Sequence, residues 1–201
     1  MLMAAPGMAT HPCTSPLILD LEGDGVLTTS LSYSVSFDIN GDSDLDTIGW
    51  TAWYSEEAFL WLDLNRNRKV DNGSELFGDS MLLPTGEFAA NGFDALALYD
   101  QDLFGGNGDG LITNEDLVWR DLLLWIDGNH NGISEPHEIR KLKREGIVAI
   151  DLSYVEREEY DGSSNLHGFQ GVFLKSVRGV GGSFLREHLI HDVFFVVAHS
   201  D

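Results

Sequence analysis

Asp127, Asn129, Asn131, Glu135 and Glu138 stand at places 1, 3, 5, 9 and 12 of a twelve-residue run, with Gly132 at place 6. Alternate oxygen side chains can face one point only if the chain reverses sharply between them, and a glycine at place 6 permits that reversal. The donor set is hard oxygen throughout: carboxylates, amide carbonyls and the backbone carbonyl of Ile133 at place 7. Calcium takes roughly six to eight such ligands, and a closing Glu that offers both oxygens favours it over the smaller magnesium. The spacing predicts an EF-hand-type calcium loop over residues 127–138.

Four other stretches repeat the alternation. Asp63, Asn65, Asn67, the Lys69 carbonyl and Asp71 fill places 1 to 9 of one; its closing Glu75 comes one place late, and Arg68 stands where Gly is expected. Another keeps Asn107, Asp109, the Leu111 carbonyl and Asp116 in register but has Gly105 at its first place. Its first ligand is sought upstream at Asp100, with Asp102 as second choice. Near the start, Asp20, Glu22 and Asp24, and then Asp38, Asn40, Asp42, Asp44 and Asp46, alternate without a closing Glu at place 12. These two read as half-sites, completed by each other or by carboxylates from elsewhere in the fold. Asn, Asp and Gly are also ordinary turn formers. A single copy would be weak; the repetition favours metal.

Composition agrees. Against 12 basic residues stand 33 acidic ones, a formal net charge of -21. Such a chain repels itself, and one divalent ion in each of five loops would bring ten positive charges and take -21 to -11. Nucleic acid and anionic lipid are poor partners for such a chain, since both need a basic surface. The few cations gather at Arg140, Lys141, Lys143 and Arg144, where they suit the last turn of a helix. Hydrophobic content of 43% with 5 Trp, 5 Tyr and 11 Phe supports a folded core. A single cysteine, Cys13, excludes an internal disulfide framework, and no apolar run is long enough to span a bilayer. Residues 1–15 read as a flexible leader without signal-peptide features, and 16–201 as one domain.

The elements that must position the loops follow from periodicity. A strand over 59–62 enters the second loop, and a helix over 91–99 enters the third. A further helix, capped by Thr113 or Asn114 and striped by Leu117, Val118, Leu122 and Trp125, runs to Asp127, and another runs from Ser134 and Pro136 to about Arg144. Two loops then share the middle helix. Beyond Gly146 the pattern turns to strands over 147–154, 169–177 and 184–198, with a turn at 179–182. The expected fold class is α+β: tandem EF-hand-like helix-loop-helix units, additional Asp/Asn-rich loops and an antiparallel β-sheet. Enzyme signatures are nearly absent. His188 and His191 lie three apart on a strand and face opposite ways, and the glycine-rich run at 105–110 has no following Lys for a phosphate.

As an ordered set, the stretch from Pro16 to Gly25, the group around Phe37 to Asp42, and the run from Asp63 to Gly78 resemble the calcium-binding module of secreted bacterial repeat-in-toxin proteins. They are most similar to the self-processing module of the iron-regulated members. The resemblance runs from about Pro16 through Ile150, with a less specific tail at Asp192 to Phe195. It implies calcium-induced folding, a place outside the cell or at its surface, and membership of a larger secreted protein. In self-processing members, calcium triggers cleavage of an Asp-Pro bond at the module's start, through attack of the Asp carboxyl on its own carbonyl. Here the matching pair is Ser15-Pro16, and Ser15 has no carboxyl. The expectation is therefore a non-enzymatic module that binds several calcium ions and folds on binding them. The alternatives are a self-cleaving or ligating module acting near Ser15, and a protein-interaction module with an unidentified partner.

Overall fold

The computed structural model describes residues 14–198. Its centre is three short, apolar strands: β1 (Leu17–Asp20), β4 (Glu57–Leu62) and β6 (Leu122–Trp125). Successive side chains on a strand point to opposite faces, and here both faces are covered. Leu17, Leu19, Ala58, Leu60, Leu122 and Leu124 enter one core, while Ile18, Phe59, Trp61 and Trp125 enter a second. Continuous apolar sequence is what burial on two sides demands.

These strands belong to an eight-stranded sheet whose neighbouring strands all pair antiparallel. Its other members are β5 (Leu111–Ile112), β7 (Ile139–Lys141), β8 (Ile147–Tyr160), β9 (Leu166–Gly179) and β10 (Gly182–Phe194), in the order β5-β8-β9-β10-β1-β4-β6-β7. A separate hairpin, β2 (Val35–Phe37) with β3 (Asp46–Ile48), carries residues 38–46 between its arms. The hairpin packs Val35, Phe37 and Ile48 into the second core beside Trp50 and Trp125.

The tandem helix-loop-helix expectation is overturned. Among the described residues the one α-helix is α1 (Gly92–Ala97), capped by the Asn91 side chain. Where a helix was expected up to Asp127, the chain makes one 3-10 turn, Leu117–Arg120, and then becomes β6. A helix would have buried Leu117 in a stripe with Leu122 and Trp125, yet Leu117 is 55% exposed. The four consecutive apolar residues of β6 instead divide between the two cores. Likewise 134–144 is a turn, β7 and a second 3-10 turn, Leu142–Glu145. Arg140 is thus on a strand, where it pairs with Glu56 at 3.0 Å and Glu145 at 3.3 Å.

β8 and β9 are longer than the strands expected over 147–154 and 169–177, whereas β10 begins earlier and ends four residues short of the expected 184–198; the far half of β8 and the tip of the β9–β10 hairpin are exposed. His188 and His191 do take different partners: the former meets the Asp20 carbonyl and Phe173, the latter His167. Of the segment read as a leader, residues 1–13, Cys13 included, lie outside the described residues, and Ser15 is buried.

Candidate metal centre

All five acidic stretches fold the same way, whatever flanks them. Their fourth and sixth residues have left-handed backbone: Gly23 and Gly25, Gly41 and Ser43, Arg66 and Arg68, Gly108 and Gly110, His130 and Gly132. In each, one oxygen of the first Asp accepts the sixth residue's N–H: Gly25 to Asp20 at 2.8 Å, Ser43 to Asp38 at 3.0 Å, Arg68 to Asp63 at 3.0 Å, Gly110 to Asp100 at 2.9 Å, Gly132 to Asp127 at 2.8 Å. The other oxygen takes the N–H of the fourth or fifth residue. We call them loops 20, 38, 63, 100 and 127 after these aspartates. Asp100 thus fills the first place of its loop while Asp102–Phe104 turns outward, with Asp102 exposed. Arg68 holds the conformation for which a glycine was expected, at a cost of about 1–2 kcal/mol for an L side chain.

The inner side chains continue the pattern. At the third place, Asn40, Asn65 and Asn107 accept the fifth residue's N–H at 2.8, 3.0 and 3.1 Å. At the fifth, Asp42, Asn67, Asp109 and Asn131 accept the seventh residue's N–H at 2.9, 2.8, 2.9 and 2.7 Å. Asn65 and Asn67 also donate to Asp71, and Asn129 and Asn131 to Glu135. The backbone at Lys69, Leu111 and Ile133 is thereby fixed at the seventh place, and the third, fifth and ninth side chains lie on one side of the turn.

Closure follows one rule in three loops: the ninth residue's N–H binds the closing carboxylate. Glu135 donates to Glu138 at 3.2 Å, Thr113 to Asp116 at 2.7 Å, and Asp71 to Glu75 at 3.0 Å. Glu75 therefore reaches the same place although it comes one residue late, and its second oxygen takes the N–H of Leu64 at 3.1 Å. Glu138 and Asp116 differ from it. Each is buried, 4% and 2% exposed, and each keeps one oxygen, Oε1 and Oδ1, without a protein partner.

Loop 20 contains no closing acid, but β1 places Asp20 directly opposite Glu57 of β4. Glu57 is 3% exposed; one oxygen accepts the Leu27 N–H at 3.0 Å and Oε2 has no partner. Burial pushes its carboxyl up to about 8 against the Leu27 hydrogen bond, and the charges of Asp20, Asp24 and Glu22 add to the rise. Burial likewise raises Glu75 and Glu138, whereas Glu135 is lowered, first by its hydrogen bond with Glu138. Asp46, at the ninth place of loop 38, accepts from Ile39 at 3.4 Å and is raised by burial. Sequence spacing had no signal for Glu57, because strand pairing alone brings it to the loop.

Three loops interlock. Val70 and Ser134, the eighth residues of loops 63 and 127, meet through Val70 N–H to Ser134 Oγ at 2.8 Å. Gly73 donates to the Asp38 carbonyl at 2.8 Å, and Trp50 Nε1 donates to Asp127 at 2.7 Å from within the second core. Loop 100 stands apart, joined to β8 through Leu152 N–H to the Gly110 carbonyl at 3.0 Å. Among the described residues, no three Asp, Glu, His or Cys side chains converge as a metal-holding group. The loops offer mixed sets, with Asn amides and backbone carbonyls beside the acids.

A family model described as the SPM domain matches residues 17–182. The chain is also 37% identical over 163 residues to the iron-regulated protein FrpA of Neisseria meningitidis serogroup C. That similarity takes in 80% of this chain and spans 14% of the relative's length.

Proposed function

This chain belongs to the SPM domain family, and from that premise and its loops we propose that it binds several calcium ions and completes its folding when they bind. One observation supports this most: Glu57, which β4 places beside loop 20, and Asp116 and Glu138, in loops 100 and 127, are each buried with one carboxylate oxygen lacking a protein partner. A buried acceptor left unsatisfied costs about 1–3 kcal/mol, more when charged, so the same arrangement in three loops wants a cation. Calcium fits the donor set of carboxylate, amide and carbonyl oxygens; magnesium requires a tighter octahedron. In this reading the first Asp of each loop, the third and fifth side chains, the seventh carbonyl and the closing acid hold the ion. Its charge offsets the repulsion of an acidic chain.

Calcium of the strength found outside cells suits modules of this kind, and the kinship with FrpA favours a secreted, bacterial host protein of which this is one part. The test is circular dichroism of chelator-treated protein during a calcium titration, with magnesium as control and intact mass at the end point. We expect a cooperative gain of structure specific to calcium at unchanged mass. Structure and stability indifferent to calcium would reduce the loops to turns.

The junction at Ser15–Pro16 favours a second reading, calcium-triggered processing there. Ser15 N–H is held by Asp79 at 2.9 Å, the Pro16 carbonyl accepts from Val193 at 3.1 Å, and Gly78 lies so close that a Cβ would stand 1.6 Å from the Ser15 carbonyl oxygen. Beside it Asp192 is fully buried. Ser15 brings no carboxyl to this cradle, so the intact chain should remain whole and Ser15→Asp should release a fragment beginning at Pro16. A Ser15→Asp variant of unchanged mass in calcium would remove this reading.

A further inference from the structure

We propose that loop 20 is a calcium site closed across the sheet by Glu57 of β4, so that one ion joins two central strands. The inference rests on the reading of these loops as calcium sites and names a ligand that loop spacing does not contain. Asp20 ends β1 and Glu57 begins β4, and the two are register partners. Together with Glu22 and Asp24, at the third and fifth places, they line a cavity of about 140 Å3 also bordered by Trp53 and Tyr54.

A purely structural role for Glu57 is to cap the Leu27 N–H, which one oxygen does. That role leaves Oε2 unexplained. It is buried without a partner on a residue 3% exposed, and the other acids lining the cavity beside Glu57 cannot donate to it when ionised. A Gln would cap Leu27 as well without a second buried carboxylate oxygen. The cations nearby are otherwise engaged or placed: Lys175 Nζ donates to the Leu21 carbonyl at 2.8 Å, and the Arg186 guanidinium lies beside Gly23, outside the cavity lining.

Asp20 keeps lone pairs on both oxygens after accepting from Gly23 and Gly25. Four carboxylates around one ion would give a strongly anionic, all-oxygen shell, which is a calcium rather than a zinc environment. They stand apart in this structure. A cation drawing them inward would tighten β1 against β4 and couple site filling to the sheet itself.

Calcium stoichiometry by calorimetry and terbium luminescence, excited through Trp53 and Tyr54, test this on the full chain. Glu57→Gln should bind one ion fewer than the parent and lose part of the aromatic-sensitised terbium signal, while the part arising at loop 127, beside Trp50 and Trp125, remains and is the part lost in Glu138→Gln. If the parent binds calcium and Glu57→Gln shows the same ion count and affinity, the inference falls alone. If the parent binds none, the broader calcium reading falls with it. Should Glu57→Gln not fold, Asp24→Asn, on the exposed side of the loop, decides: a tenfold or greater weakening of one site supports the inference, and unchanged binding overturns it.

Discussion

Loops 127 and 20 begin alike and close differently. In both, the first Asp gathers two backbone N–H groups and the sixth residue is a left-handed glycine. Loop 127 then finds its closing acid within its own turn, at Glu138, whereas loop 20 meets Glu57 through strand pairing. The first can take shape from a short stretch of chain. The second exists only once β1 and β4 are side by side, so the binding proposed there would report on the sheet. Local closure makes a site that is legible and replaceable; closure across strands makes one that is hidden and tied to the fold.

The strongest break of this comparison is Glu138→Gln. It leaves the Glu135 N–H with an acceptor but removes the charge from the closing oxygen. Loss of one calcium ion is expected, with at least a tenfold weakening at loop 127. At free calcium a hundred times the dissociation constant, complete loss of the ion removes about 2.7 kcal/mol of stabilisation and a tenfold weakening about 1.3 kcal/mol. Calorimetry and thermal melts with and without calcium measure both effects, and the loop 20 signal should persist. Equal losses at both loops would show that they fill as one unit.

Asp192 sharpens the comparison as a buried acid that closes no loop. Burial pushes it up to about 7; the Gly92 N–H and the Ser15 hydroxyl nearby oppose the rise, and Asp79 and Asp94 reinforce it. Ser15 Oγ and Asp192 Oδ1 nevertheless complete no hydrogen bond. An acid whose folded pKa exceeds its unfolded one binds more protons when folded. Its stabilising contribution is therefore full below about pH 4 and is lost as pH rises to 7. Asp192→Asn should remove that slope, worth on the order of a few kcal/mol, in urea melts at pH 4 and pH 8. Saturating calcium should leave the Asp192 slope in place, since no loop oxygen is involved. Disappearance of the slope in calcium would link this junction to the ions.

Trp50→Phe acts on loop 127 from behind. Its indole N–H reaches Asp127 from a position wholly inside the second core, so the ring survives but a buried acceptor loses a donor. The expected cost is about 1–3 kcal/mol, with weaker calcium binding at loop 127 and none of that weakening at loop 20. A uniform loss at both would mean that the second core, rather than the hydrogen bond, sets affinity.

How much was legible follows from what each feature depends on. The first turn of four loops is local, set within six residues by the first Asp and the left-handed fourth and sixth places, and alternation exposed it; even Asp100, displaced by a short outward turn, could be sought. The strand at 59–62 and the C-terminal hairpin also carried their own pattern. Leu122 to Trp125 did not, because a short apolar run suits a buried helix or a strand equally. Only its partners decide: Phe59 opposite Trp125 and Leu62 opposite Leu122. The same dependence hid Glu57. Its sequence neighbours carry no loop spacing, and its place opposite Asp20 emerges only from the pairing of β1 with β4.

The smallest effect tests whether the shared first turn is a matter of backbone geometry alone. Arg68 occupies the left-handed sixth place of loop 63 at φ 65, where loops 20 and 127 have Gly25 and Gly132. Arg68→Gly removes the steric cost of an L side chain there, about 1–2 kcal/mol, but frees the unfolded chain and returns about 0.4–1 kcal/mol of it. The net gain should be a few tenths to about 1 kcal/mol. Because the N–H to Asp63 is kept, calcium affinity at loop 63 should change by less than a factor of about five. A larger rise in affinity would mean that strain at place 6 opposes the ion-bound shape, and that the glycines of loops 20 and 127 serve binding as well as the turn.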